Sequence, residues 1–421
     1  MESNESNIYL DCILNREYLP ANTGSTLFLA VQIAYRGVGG SLTAAMPGAG
    51  GEMPVDMCLL IDKSGSMCGE KLNCVKDAAI EVVNKLKPTD RLTVLAFSSD
   101  VETVVKGDLI DKQLFEDKIR GIKCGGSTRI YDGLTQAQYE LNTESELSKN
   151  SVKKIMLLSD GLQTDEKTDQ DYVNLAQDIR NSGASITAMG LGNEYSENLL
   201  SLIAQNSGGL WQHISSPKEV VSAFFGIVTD AKTTVKTKPE VVLHFADGVE
   251  FTEILKGEPQ TYEITNAKLE ENKLRIPIDD IKSDGKQTLT IKLHSPPRPE
   301  GQCRLIKLDL FSWGDIMATR NVIVNYTDDP RLTAVENSTY PRGAFLSTKT
   351  RILTSTGISG DDKALADAEQ VTKIMQADAG VAKLFGEDTK TLILAIEKTK
   401  KGDLSKEDEK VLKEQVTTIK Q

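Results

Sequence analysis

The chain of 421 residues is 39% hydrophobic and 26% charged, with 32 Gly and 13 Pro. That composition is ordinary for globular proteins and excludes collagen-like, disordered and disulfide-scaffold classes; at roughly 100–200 residues per domain it allows two to four domains. The net charge is −12, and because residues 331–421 hold 15 basic against 14 acidic side chains the acidity sits on residues 1–330, a body that repels phosphate backbones and attracts cations, so no nucleic-acid partner is expected.

In chain order, STLFLAVQIAY (25–35) alternates apolar residues at 27, 29, 31, 33 and 35, a strand with one buried face. VGGSLTAAMPGAGGE (38–52) reads as a Gly-rich linker. VDMCLLID (55–62) is a short apolar run ending in an acid. Residues 70–86 then place Leu72, Val75, Ala79, Val82, Val83 and Leu86 near one helical face. The pattern continues as strand 91–99, helices 111–120 and 130–141, strand KKIMLLSDG (153–161) and helix 168–181. Strand 184–192, helix 196–206, strand 209–214 and helix 217–230 complete it. Strands alternating with helices require crossover connections, hence a doubly wound, mostly parallel α/β sheet covered on both faces. Ligands of such sheets bind at the carboxyl ends of the strands, so Asp62 and Asp160 face one rim.

Residues 240–326 change character. HFADGVEF carries an Asp-Gly turn, QTLTIKLHS alternates Leu289, Ile291 and Leu293, and CRLIKLDLF alternates Ile306, Leu308 and Leu310. Short strands at this spacing predict a β-sandwich. Two strands alone are marginal, so residues 5–37 are expected to complete the sandwich, with the α/β unit inserted in it. The expected domains are 1–50 (sandwich strands), 51–230 (α/β), 231–330 (the rest of the sandwich) and 331–421 (a helical bundle). In the last, stripes run through Leu365, Ala368, Val371 and Met375, and through Leu392, Ala395, Ile396 and Thr399. Gly402 reads as a helix stop, and Ser405 with Asp408 as a cap before Leu412, Val416 and Ile419.

No apolar run approaches the ~18 residues of a membrane span, and the opening MESNESNIYL lacks the basic and apolar regions of a signal peptide. Six cysteines (12, 58, 68, 74, 124, 303) show no paired framework, and Cys58 and Cys303 read as small buried hydrophobes. A reducing, cytoplasmic setting is expected.

Three segments carry the chemistry. Asp62-Lys63-Ser64-Gly65-Ser66 follows the first buried strand, Cys124-Gly-Gly-Ser-Thr128 is a Gly-rich loop before a helix, and Ser159-Asp160-Gly161 ends the next buried strand. As strand-end loops of one sheet they can converge into an oxygen-only set: Asp62, Asp160, Ser64, Ser66 and Thr128. Such a set suits Mg²⁺, with water filling the remaining positions; Mn²⁺ and Ca²⁺ are the alternatives.

These motifs resemble the metal-ion-dependent adhesion site of the von Willebrand factor A (VWA) domain. The stretch DKSGSMCGEKLNCVKDAAIEVVNKLKPTDRLTVLAFS is similar to the version in inter-alpha-trypsin inhibitor heavy chains and microbial stand-alone relatives. The resemblance covers about 55–230. It implies direct ligation by Ser64, Ser66 and Thr128, with Asp62 and Asp160 binding directly or through water. The family has Gly-Gly-Thr where Ser127 intervenes here, so both Ser127 and Thr128 stand as the loop ligand. The resemblance also implies metal-bridged binding of a partner protein's Asp or Glu, without catalysis. The competing readings are a metal-dependent hydrolase and a regulatory partner of an AAA+ ATPase. The chain has no phosphate-binding Gly-Lys-Ser/Thr loop or nucleophile elbow, and His213, His244 and His294 are scattered.

Overall fold

The computed structural model describes residues 7–35, 53–142, 151–265, 269–402 and 404–418. The linker expected at 38–52 lies outside them, as does Ile419. The chain divides into two compact units, Pro47–Lys238 and a second formed by Met1–Met46 with Pro239–Gln421.

Three strands come first: β1 (Ile8–Leu14), β2 (Tyr18–Pro20) and β3 (Ser25–Tyr35). The unit Pro47–Lys238 then alternates β4 (Val55–Asp62), α1 (Glu70–Lys85), β5 (Arg91–Phe97), β6 (Val101–Asp108), α2 (Lys112–Arg120) and α3 (Ile130–Asn142). It continues with β7 (Val152–Ser159), α4 (Asp169–Asn181), β8 (Ala184–Leu191), α5 (Glu197–Ser207), β9 (Trp211–Ile214), α6 (Val220–Thr233) and β10 (Thr234–Lys236). Its sheet runs β6-β5-β4-β7-β8-β9, parallel except for β6 against β5. Every residue of β4 and β8 is buried, as a sheet covered on both faces requires. The period of two along β4 divides the core. Met57, Leu59 and Ile61 pack with Val75 and Val82 of α1 and Phe224 of α6, while Cys58 and Leu60 pack with Leu134 of α3 and Ile179 of α4. Burying each such side chain stabilises the fold by ~1.5–3 kcal/mol. The strand β6 is absent from the sequence reading because its side chains are exposed or half-buried, so no apolar stripe marks it.

This order places a topological switch at β4 and β7. The chain leaves β4 towards β5 on one side and later returns to β7 on the other. Loops at the carboxyl ends of these two strands diverge there and open a crevice.

The second unit continues with β11 (Pro239–Phe245), β12 (Glu250–Glu258), β13 (Tyr262–Glu263), β14 (Leu269–Glu270), β15 (Lys273–Pro277), β16 (Ile281–Lys282), β17 (Lys286–Ser295), β18 (Gly301–Ser312) and β19 (Asp315–Thr327). One sheet is β1-β3-β17-β12-β13, the other β14-β15-β11-β18-β19-β2. In the first, β3 lies antiparallel to β17, with Leu29 opposite Ile291 and Val31 opposite Leu289. The alternating residues Leu27, Leu29, Val31, Ile33, Leu289, Ile291, Leu293, Ile306, Leu308 and Leu310 are all buried. The doubly wound sheet is thus inserted in a β-sandwich, as expected. The Asp247-Gly248 turn is not a hairpin, however: it joins β11 to β12, which belong to different sheets. A turn motif fixes a local reversal, not which sheet receives the next strand.

The C-terminal helices are α7 (Pro330–Thr333), α8 (Tyr340–Ile358), α9 (Asp362–Ala377), α10 (Ala379–Lys401) and α11 (Lys406–Thr417). Leu365, Ala368, Met375, Leu392, Ala395, Ile396, Leu412 and Val416 are buried, whereas Val371 and Thr399 are half-buried. Ser405 and Asp408 form the reciprocal cap, and Gly402 ends α10 in the left-handed region, where glycine meets no steric penalty.

Candidate metal centre

The end of β4 builds the first part of the site. Asp62 is fully buried; its Oδ1 accepts from the Ser64 backbone N–H at 2.8 Å, and its Oδ2 accepts from the Ser159 hydroxyl of β7 at 2.6 Å. Burial raises its pKa. The bonds from Ser159 and Ser64 oppose that rise, and the charge of Asp160 adds to it. Lys63 points elsewhere, its Nζ lying 3.4 Å from Asp100 and 3.2 Å from Glu102.

A 3₁₀ turn over Gly65–Met67, anchored by buried Met67, brings Ser64 and Ser66 together with their hydroxyl oxygens 3.1 Å apart. Ser66 donates to Asp160 Oδ1 at 2.7 Å. The other Asp160 oxygen accepts from the Lys71 ammonium in the first turn of α1. Asp160 is buried and Lys71 is about one-third exposed.

The loop before α3 supplies the third part. Gly65 N–H donates to Gly126 O at 3.1 Å and Gly125 N–H to Lys63 O at 2.7 Å, which ties this loop to the β4 loop. Gly126 sits at φ +92°, and a Cβ there would approach the Ser99 hydroxyl to 2.8 Å, so glycine is required. The Thr128 backbone is held by Thr164, its N–H donating to Thr164 Oγ1 at 3.0 Å and its carbonyl accepting from Thr164 N–H at 2.9 Å. The Ser127 hydroxyl lies 3.1 Å from that of Ser99. Thr128 Oγ1 instead lies 3.4 Å, and Ser66 Oγ 3.6 Å, from the point a Cβ on Gly161 would occupy.

Asp62, Ser64, Ser66, Thr128 and Asp160 therefore come together at one rim. Among the described residues no group of three or more His, Cys, Asp or Glu side chains is placed to hold a metal ion; this cluster instead joins two carboxylates to hydroxyls. The donor chemistry fits a hard divalent cation: all donors are oxygen, of the two buried carboxylates only Asp160 is paired with a lysine, and the lack of a side chain at Gly161 leaves the cradle open.

One cysteine expectation is corrected. Cys68 and Cys124 form a disulfide, Cα atoms 5.4 Å apart, and with it the support that unpaired cysteines gave to a reducing compartment falls away. Their separation of 56 residues carries no signal of pairing until the β4 and α3 loops are seen to meet. Cys58 is buried as expected, but Cys303 is only half-buried. Lys71 and Ser159 hold the two rim carboxylates without belonging to the ligand pattern, so the sequence assigns them no such role.

Residues 56–224 match the family model of the von Willebrand factor type A domain. This chain carries a VWA domain. It is 26% identical over 258 residues to the Synechocystis protein sll0103, covering 59% of each chain, and 30% identical over 172 residues to bovine inter-alpha-trypsin inhibitor heavy chain H4, covering 38% of this chain and 19% of that one. The chain thus spans 59% and 19% of the lengths of these relatives. A solved von Willebrand factor type A structure from Catenulispora acidiphila shares the fold over 100% of this chain and 99% of its own, with TM-score 0.79 at 16% identity. Among the described residues no helix is long and apolar enough to cross a membrane.

Proposed function

We propose that the VWA domain is a metal-dependent protein-binding module, in which Mg²⁺ held by Asp62, Ser64, Ser66, Thr128 and Asp160 recruits an acidic side chain of a partner protein. Mn²⁺ and Ca²⁺ are the alternative ions. The observation that carries this reading is the convergence of these five side chains from three loops, with both carboxylates buried and only Asp160 paired to a lysine. A bound divalent ion would supply positive charge and a coordination position that a carboxylate oxygen fills.

The chain's own residues prepare the place. Ser159 and the Ser64 N–H fix the Asp62 carboxylate in orientation. The hydroxyls of Ser64, Ser66 and Thr128 are neutral donors, so they leave a cation's charge largely uncancelled. Ser66 is exposed, which opens the site to a macromolecular ligand. No turnover is involved. A regulatory partner of an AAA+ ATPase is one form of this binding. In this reading the sandwich of 1–50 and 231–330 carries domain 51–230 as an insertion, with 331–421 as a C-terminal helical bundle.

Affinity capture in Mg²⁺ followed by elution with EDTA tests the proposal. Capture should depend on Mg²⁺ and be lost in Asp160→Ala and Ser64→Ala; capture that survives EDTA overturns it.

A further inference from the structure

We infer that the Cys68–Cys124 disulfide is a thiol–disulfide exchange site that sets the metal affinity of the rim, taking a dithiol reductant as its co-reactant. The inference rests on the metal reading above. Cys68 follows Ser64 and Ser66 by a few residues, and Cys124 precedes Thr128 by four. The bond therefore joins the loop that carries two candidate ligands to the loop that carries a third. Besides this bond, the backbone pairs Gly65–Gly126 and Gly125–Lys63 hold the two loops together, and both pass through glycine. Glycine-rich backbone loses much freedom on ordering, so a covalent tie between these loops removes a large part of the cost of bringing the hydroxyls together.

The disulfide is also reachable. Cys68 is exposed and Cys124 half-buried, on the solvent side of a rim whose carboxylates are buried. A thiolate of the dithiol attacks Cys68 Sγ and expels Cys124 as a thiolate, which takes up a proton. The second thiol of the reductant then displaces Cys68 from the mixed disulfide. Two electrons and two protons pass to the protein, leaving two cysteine thiols and the reductant as its own disulfide. The oxidised protein has the ligand loops tied; the reduced protein has them joined by hydrogen bonds alone.

The test compares the full chain before and after treatment with a dithiol that is then removed without air. Backbone hydrogen exchange of residues 63–69 and 123–128 is measured without metal, and Mg²⁺ affinity is measured by thermal shift. Reduction should speed exchange in both loops and weaken Mg²⁺ binding about tenfold, through lost preorganisation. Reoxidation should restore both, and Cys68→Ser should behave as the reduced protein whether or not reductant is added. Equal Mg²⁺ affinity and unchanged loop exchange in the two states would overturn the inference while leaving the metal reading intact. No Mg²⁺ response in either state would overturn the metal reading, and this inference with it.

Discussion

The rim acids Asp62 and Asp160 differ from the paired buried acids of the sandwich and helices. In the sandwich and helices several buried or half-buried acids meet a cation. Arg342 contacts Glu336 at 2.7 Å and Asp378 at 2.6 Å, Lys307 holds Asp309 at 2.8 Å, and Lys256 and Arg351 pair with Asp279 and Asp388. In the VWA unit Asp62 and Asp160 are buried side by side, yet Asp62 has only hydroxyl and N–H partners and Lys71 serves Asp160 alone. Paired charges of the first kind hold a structure together. The deficit of positive charge in the second is what the proposed cation would offset.

The sharpest way to break this contrast is to remove an acid from the rim. Wild-type protein at about 100 times the Mg²⁺ dissociation constant should gain ~2.7 kcal/mol of stability. Asp160→Ala should gain none, and a preserved Mg²⁺-induced rise in melting temperature would place the ion elsewhere. Lys71→Met should act in two directions. Without metal, the buried Asp160 carboxylate loses its counter-charge, and the domain should lose ~1–3 kcal/mol after allowance for the partial exposure of Lys71. With metal, removal of a competing cation should tighten Mg²⁺ binding, which calorimetric titration reads directly. Weaker binding would make Lys71 a support for the ion instead of a rival.

In the second unit the paired charges predict acid sensitivity. Burial works against ionisation of Glu336, but hydrogen bonds from Arg342 and Asn15 and the charges of Arg342 and Arg16 outweigh it and hold its pKa below the ordinary 4.5. The Val381 N–H and Arg342 do the same for Asp378, below 3.8. A carboxyl depressed in the folded state contributes stability that is fully present above its unfolded pKa and is lost as pH falls through the folded one. Urea denaturation should therefore show this unit weakening below about pH 4.5, and Glu336→Gln should flatten that dependence. A pH-independent transition would dissolve the contrast from this side. The smallest effect expected is at the cap of α11, where Ser405→Ala should cost about 1 kcal/mol and leave the Mg²⁺ response unchanged.

The same contrast explains what could be read in the sequence. The rim was legible because its donors cluster in short motifs, each at the end of an apolar run or at the mouth of a helix. Alternation exposed β3, β17 and β18 in the same way. The helix α8 was not singled out because it has no apolar stripe: it buries Ser347, Thr348, Thr350 and Thr354 alongside Ala344 and Phe345, and Thr350 returns its hydroxyl to the Leu346 carbonyl at 2.8 Å. The placing of the Thr128 hydroxyl beside that of Ser66, the Lys71 contact and the Cys68–Cys124 bond are long-range facts. Each depends on which loops the sheet order brings together, and no local pattern encodes that.

The most direct test of the central claim is anomalous diffraction from crystals of the protein grown with Mn²⁺. One strong peak should lie within coordination distance of the Ser64 and Ser66 hydroxyls, beside Thr128 and Asp160. A cradle without a peak at saturating Mn²⁺, with Lys71 still seated on Asp160, would contradict the account.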